Sequence, residues 1–314
     1  MPLRNVLNGF LKTPDAFFGI PAPLEGDPDV GILGVPYDLT SSYSPGCRFG
    51  PREFRLATTM QRSHSRPVSV GFDTYEERPL LSDSITLEDI GDLEVDLRLP
   101  EAAMYDMSDA AERLAKSDSY LVFLGGDHYI TFPLLKGLKR SRPGEYGIIW
   151  LDSHADFYED YGGYKLSHAT TLRNCVSEGL VSVENVVGHD LRCAHPSQRR
   201  ELAGGDDIPV YNLETFSKKV KAISKRVDYL YISIDLDILR PEVAPGVSHP
   251  ESGGLYVEDV CRYLRTAFAT EKVQYADIVE LNPLLDSSGL TAVAARDILK
   301  EVLAGFALQK SLKE

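Results

Sequence analysis

The sequence predicts an α/β fold: a three-layer α-β-α sandwich around a central, mostly parallel sheet. Two observations carry this. Short apolar, β-branched runs alternate along the chain with helix-patterned stretches. Those runs are apolar on both faces, the pattern of strands buried in a parallel sheet with helices on either side.

The elements follow in chain order. Residues 30–35 (VGILGV) and 120–124 (YLVFL) read as the first strands, and 147–151 (GIIWL) as the third. Shorter β-branched runs at 185–187 and 208–211, a long one at 229–234 (YLYISI) and one at 278–281 (IVEL) complete the set. Helical periodicity marks 109–117, 257–269 and 290–308. The last follows DSSG, whose Asp and Ser side chains can cap free amides. The segment GFDTYEERPLLSD (71–83) reads as a surface loop. With no internal repeat, low-complexity tract or linker, the expectation is one domain spanning 1–314.

Bulk composition narrows the function classes. Against 33 bases stand 47 acids, a net charge of −14, which argues against a nucleic-acid or anionic-membrane partner. The cysteines Cys47, Cys175, Cys193 and Cys261 form no CxxC pair, so neither a zinc ribbon nor a disulfide framework is expected. The opening twenty residues lack the apolar core of a signal peptide. No apolar run approaches the ~18–20 residues that cross a bilayer. The expected location is cytoplasmic.

Chemistry collects where strands end. In open α/β sheets ligands bind beyond the strands' carboxyl ends. There 120–124 runs into GGDH (125–128), 147–151 into DSHAD (152–156), and 229–234 into DLD (235–237). In an extended segment Asp152, His154 and Asp156 share one face, as do Asp235 and Asp237. One such cluster alone reads as a solvated turn. Several buried carboxylates together repel one another unless cations neutralise them. Oxygen and nitrogen donors without thiolate suit Mn²⁺, Fe²⁺ or Co²⁺ better than structural zinc. His128, Asp152, His154, Asp156, Asp235 and Asp237 exceed one open catalytic ion and suit two. Two ions roughly 3.5 Å apart can activate water near neutral pH.

The chain resembles the ureohydrolase family of agmatinases, arginases, guanidinobutyrases and formimidoylglutamases. The motifs carrying the likeness occur in order: GVPYD (34–38) with PGCRFGPREFR (45–55), GGDH, DSHAD, SIDLDILRPEVAPG (233–246) and VELNP (279–283). The resemblance implies an arginase-like fold and two Mn²⁺ per chain. One would be held by His128, Asp152, Asp156 and Asp235, the other by Asp152, His154, Asp235 and Asp237. It implies attack of activated water on a guanidinium carbon to give urea and an amine. Glu280 would grip the guanidinium, His168 would contact substrate and shuttle protons, and Asp156 would join them in catalysis. Homo-trimers or homo-hexamers are implied as well. His64, His189 and His195 read as surface or loop residues, and His249 as lying in a loop that approaches the site. Gly46 and Gly50 would permit tight turns while Arg48 ties loop backbones.

Departures from the family pattern fall in loops: Ser44, Ser153, Ala169, Arg240, Val247 and His249. His168 argues against formimidoylglutamase, and the opening motif favours agmatinase over arginase. The substrate expected is agmatine, a small cation, giving putrescine. Guanidinobutyrate or arginine is the alternative, with Lys165 available to greet a carboxylate. A non-catalytic regulatory member ranks lower, because a scaffold has no use for so many clustered charges. A two-metal phosphoesterase lacks any basic cluster to hold phosphate.

Overall fold

Strands that are apolar on both sides need cover on both sides, and the chain provides it. The computed structural model describes residues 25–58, 81–95, 98–202 and 212–313, with positions 6, 11, 12, 17 and 18. Eight strands among these form one sheet: β1 (Leu11–Lys12), β2 (Val30–Val35), β3 (Leu87–Leu93), β4 (Tyr120–Gly125), β5 (Tyr146–Leu151), β6 (Val186–His189), β7 (Tyr229–Asp235) and β8 (Val273–Val279). Their order is β1-β3-β2-β4-β8-β7-β5-β6, all parallel except the two-residue β1, which runs antiparallel to β3.

Side-chain alternation sorts the core into two halves. Tyr120, Val122 and Leu124 join Leu230, Ile232 and Ile234 on one face, against helices Gly50–Ala57, Leu213–Ser224, Val257–Phe268 and Leu290–Lys313. Leu121, Phe123, Ile148 and Trp150 face helices Pro100–Leu114, Thr131–Ser141 and Thr171–Ser177 on the other. This is the three-layer sandwich the pattern predicts. The long C-terminal helix is capped as read: Asp286 Oδ2 accepts from Thr291 N at 2.7 Å.

Several boundaries differ. The run at 278–281 is the tail of a strand that begins at Val273 and stops at Val279, so Glu280 lies beyond it. The run at 185–187 is the front of Val186–His189. The helix read at 109–117 starts nine residues earlier, where Pro100 and Glu101 suit a first turn. Strand β3 (LEDIGDL) escapes an apolar pattern search because it carries three acids. Two of them, Asp89 and Asp92, are neutralised by the buried Arg55 at 2.8 and 2.6 Å. The run at 208–211 and most of the loop at 71–83 lie outside the described residues. Of that loop, residues 81–83 fall in a short helix, Leu81–Ser84, with Leu81 buried. No helix among the described residues is long and apolar enough to cross a membrane.

Candidate metal centre

Neighbouring strands β4, β8, β7 and β5 deliver every polar cluster to one edge of the sheet. At their carboxyl ends a common device turns the chain. Asp152 Oδ1 accepts from His154 N at 2.6 Å, and Asp235 Oδ1 from Asp237 N at 2.8 Å. Asp127 and Asn282 do the same for Tyr129 N and Leu284 N, each at 3.2 Å. These are Asx turns, in which a short carboxylate or amide replaces the backbone acceptor two residues on. The expectation that Asp152, His154 and Asp156 share a face of an extended strand is therefore corrected. Strand β5 ends at Leu151, and Asp156 sits at φ 46°, in the left-handed region. The spacing of two is turn chemistry.

The turns leave one oxygen of each aspartate free for the cluster. His128 Nδ1 lies 3.1 Å from Asp152 Oδ2, 3.2 Å from Asp156 Oδ2 and 3.1 Å from Asp235 Oδ2. His154 Nδ1 lies 2.8 Å from Asp237 Oδ2 and 3.6 Å from Asp152 Oδ1. All six predicted ligands thus converge, with Asp152 between the two histidines. His128 Nδ1 and Asp152 Oδ2 are buried without a hydrogen bond. Buried polar atoms are rarely left so, and orphans of this kind fit a place for a bound ion. The donors are nitrogen and carboxylate oxygen, which fit hard or borderline divalent cations.

Electrostatics agree. Burial raises Asp235 well above the usual carboxylate range, with Asp237 and Asp152 adding repulsion. Burial and Asp152 push Asp156 up to about 6. At Asp152 burial is outweighed by the neighbouring imidazoles of His128 and His154, which hold it low. At His128 and His154 burial is likewise overcome by the surrounding carboxylates, which hold both well above the usual imidazole range. The cluster draws positive charge to itself.

A second layer fixes the first, and sequence reasoning missed it. Ser233 Oγ donates to Asp277 Oδ1 at 2.7 Å and lies 2.8 Å from His128 Nε2. Its one proton is committed, so it accepts from Nε2–H and leaves the Nδ1 lone pair facing the carboxylates. Asp277, wholly buried, also accepts from Thr131 Oγ1 (2.6 Å) and Tyr231 OH (2.7 Å). Trp150 stacks on the His128 ring at 4.0 Å and donates Nε1–H to His154 O at 3.3 Å. Ser153, one of the departures, donates to Asp237 Oδ1 at 2.7 Å.

Glu280 also sits at positive φ, 66°. Non-glycine residues there cost roughly 1–2 kcal/mol each, and two such residues flank this cleft. Glu280 Oε1 accepts from His128 N (2.9 Å) and Oε2 from the buried Cys47 thiol (3.1 Å). Burial pushes its carboxyl up to about 7. His168 is set by Thr40: its Nδ1 lies 2.6 Å from the Thr40 carbonyl, which can only accept, so the proton is on Nδ1. Thr40 is in turn held by Asp127 at 2.7 Å. The His168 Nε2 lone pair faces Ser42 Oγ at 3.3 Å. Burial, then neighbouring His249, lowers His168 to about 4. Gly126 makes this crossing possible: a Cβ there would stand 1.7 Å from Tyr37 O.

The cleft holds ≈ 140 Å³, and His128, His154, Asp156, Asp235, Asp237 and Glu280 are on its wall. Its outer part is lined by Tyr158, Tyr161, His168 and His249. His249, left open by the sequence, stacks on His168 at 5.0 Å and meets Ser42 Oγ at 3.1 Å. The Tyr161-Gly-Gly-Tyr164 turn, with both glycines at positive φ, pairs Tyr161 with Tyr164 and presents Tyr161 to the cleft. Lys165 lines an adjoining groove instead.

Other expectations need correction. His189 is not a surface residue: it is buried at the end of β6 against Tyr263 (4.0 Å) and Phe216 (5.7 Å), because β6 extends two residues further than read. His195 is exposed as read, and His64 lies outside the described residues. Gly50 is helical; its need is space, since a Cβ would stand 2.8 Å from Gly125 O. Arg48 pairs with the Asp38 carboxylate, and it is Asp38 that ties backbone, accepting from Gly46 N and Arg48 N. All four cysteines are free.

Comparison with known proteins converges on one group. The family described as "Arginase family" matches residues 28–305. An agmatinase of Bacillus cereus is 29% identical over 283 residues, covering 88% of this chain and 91% of its own. A guanidinobutyrase of Pseudomonas aeruginosa is equally 29% identical, covering 90% and 88%. Among solved structures, the proclavaminate amidino hydrolase of Streptomyces clavuligerus superimposes with a TM-score of 0.78 at 26% identity, covering 95% of this chain and 98% of that one.

Proposed function

The chain belongs to the arginase family of ureohydrolases, and from that premise we propose that it hydrolyses agmatine to putrescine and urea with two bound manganese ions. His128, Asp152, Asp156 and Asp235 would hold one ion, and Asp152, His154, Asp235 and Asp237 the other. The ions would supply a strong nucleophile by lowering the pKa of water to near neutrality.

The protein's own groups do the rest. Glu280, anchored by His128 N and Cys47, keeps further lone pairs for the N–H groups of a guanidinium, a planar cation that pairs well with a carboxylate. Binding that cation favours the ionised carboxylate over the proton that burial would otherwise add. Asp156, on the wall of the cleft, would orient the attacking water by accepting its hydrogen bond. His168 presents an unprotonated Nε2, which can take a proton there and hand it to the leaving amine.

The observation that carries the substrate is the cleft lining. Among its described residues there is no Arg or Lys, and its outer wall is aromatic. A carboxylate tail finds no cation there, whereas an alkylammonium can rest against Tyr158 and Tyr161, whose rings are 5.6 Å apart. The equal identity to a guanidinobutyrase keeps guanidino acids as the rival, with Lys165 in the next groove as a cation for their carboxylate. A urea-release panel on manganese-loaded protein decides. Agmatine should turn over much faster than arginine or guanidinobutyrate. Equal or reversed rates would remove agmatine and leave the family intact.

A further inference from the structure

His154 has two ring nitrogens, and the proposed manganese pair uses one. Nδ1 points inward to Asp237, while Nε2 points outward, 3.6 Å from Glu251 Oε1. The exposed thiol of Cys193 stands beside them: ligand atoms of His154, Cys193 and Glu251 all lie within 4.8 Å of one another. We propose that these three side chains form a separate site for one thiophilic divalent cation of the zinc class, at the mouth of the cleft.

The site is built from two segments locked together. Cys193 N donates to Ser153 O at 2.9 Å, which fixes it beside the His154 turn. Arg192, its neighbour, crosses to the loop bearing Glu251. Its Nε donates to Ser252 O at 3.0 Å, and one terminal nitrogen donates to Glu251 O (3.1 Å) and Asp237 O (2.8 Å). The three ligands therefore approach from fixed backbones. A tetrahedral ion with bonds of about 2.0–2.3 Å sets its ligand atoms roughly 3.3–3.8 Å apart. The His154–Glu251 separation already falls in that range, and rotations of the exposed Cys193 and half-exposed Glu251 side chains would bring in the other two pairs, which lie within 4.8 Å.

The donor set selects the ion. Thiolate with imidazole favours zinc-class ions over manganese, and three protein ligands leave a fourth position to water. Binding releases the Cys193 thiol proton and the His154 Nε2 proton to solvent. Cys193 also lines the cleft, so an ion held there sits at the substrate's entrance. The competing reading is that Glu251 merely accepts the His154 Nε2–H and orients the ring, as carboxylates commonly do for metal-bound histidines. In that reading the Cys193 thiol is a second donor to Glu251.

Cobalt separates the two. The six inner residues include no thiolate, and Cys47, Cys175 and Cys261 are buried, so a thiolate-to-cobalt charge-transfer band reports Cys193 even if cobalt also exchanges into the inner pair. Adding Co²⁺ to the manganese-loaded full chain should produce that band, saturating with an outer ion at about one per chain. Excess Zn²⁺ should bleach it. Cys193→Ser should abolish it, and Glu251→Gln should raise the cobalt needed by at least about tenfold. No band in the wild type, or one that survives Cys193→Ser, overturns the proposal and leaves the manganese assignment untouched.

Discussion

Removing the Ser233 hydroxyl should weaken metal binding without removing any ligand. Ser233 Oγ is the acceptor for His128 Nε2–H and a donor to Asp277 Oδ1, all buried. In Ser233→Ala the imidazole loses the partner that fixes its tautomer and ring rotation. An N–H and a carboxylate oxygen are left short of a partner, each costing about 1–3 kcal/mol. Part of that cost is borne by the fold whether or not metal is present. The part felt by the ion is the freedom His128 gains to turn its lone pair away, and outer partners of this kind typically contribute about 10–100-fold in affinity. Trp150 still holds the ring plane from its other face, which places the effect near the lower end, about tenfold. Titration of Mn²⁺, with the free ion followed by electron paramagnetic resonance, measures it. Thr131→Val is the control: Thr131 Oγ1 bonds Asp277 without touching His128, so it should lower stability and spare affinity. A folded Ser233→Ala protein that binds Mn²⁺ as tightly as wild type refutes the reasoning.

Three further expectations follow from the same geometry. His168→Ala should slow urea release by about 100-fold or more while both metals stay bound; lost metal would make His168 a ligand rather than a proton carrier. Arg55→Met leaves Asp89 and Asp92 against a missing partner and should cost about 3 kcal/mol in urea denaturation, with an unmoved midpoint counting against it. His189 is lowered to about 4 by burial, and neither ring nitrogen has a hydrogen-bond partner among the described residues. Its unfolded form binds more protons between about pH 6.5 and 4, so its contribution to stability is intact above that window and lost as pH falls through it. Of the wild type's loss between about pH 7 and pH 5, about 2 kcal/mol should disappear in His189→Phe. An unchanged pH slope would show that His189 is not buried neutral.

Much of this molecule was legible in its sequence because parallel strands must be apolar on both faces. The runs at 30–35, 120–124, 147–151 and 229–234 declared themselves in that way, and ligands at their ends came with them. Strand β3 did not, since its acids are matched by Arg55, a partner more than thirty residues away. The six converging residues were readable as a group, but for an incomplete reason. Alternation on a strand predicts the same spacing that Asx turns at Asp152 and Asp235 set. The left-handed backbone at Asp156 and Glu280 has no local signature beyond a polar residue after a strand. Ser233, Asp277 and Trp150 were hidden because each reads as an ordinary strand residue; only the pairing of β7 with β5 and β8 brings them under His128. The Tyr-Gly-Gly-Tyr turn did carry a usable signal in its glycine pair. His189 misled because it follows a short run whose extent was underestimated.

The claim on which all else rests is that one cluster holds two ions. Diffraction from crystals of manganese-loaded protein, recorded on both sides of the manganese absorption edge, tests it directly. Two anomalous peaks should appear about 3.5–4 Å apart, one against His128 and Asp156, the other against His154 and Asp237, with Asp152 and Asp235 between them. A single peak, or none at these residues, would contradict the account.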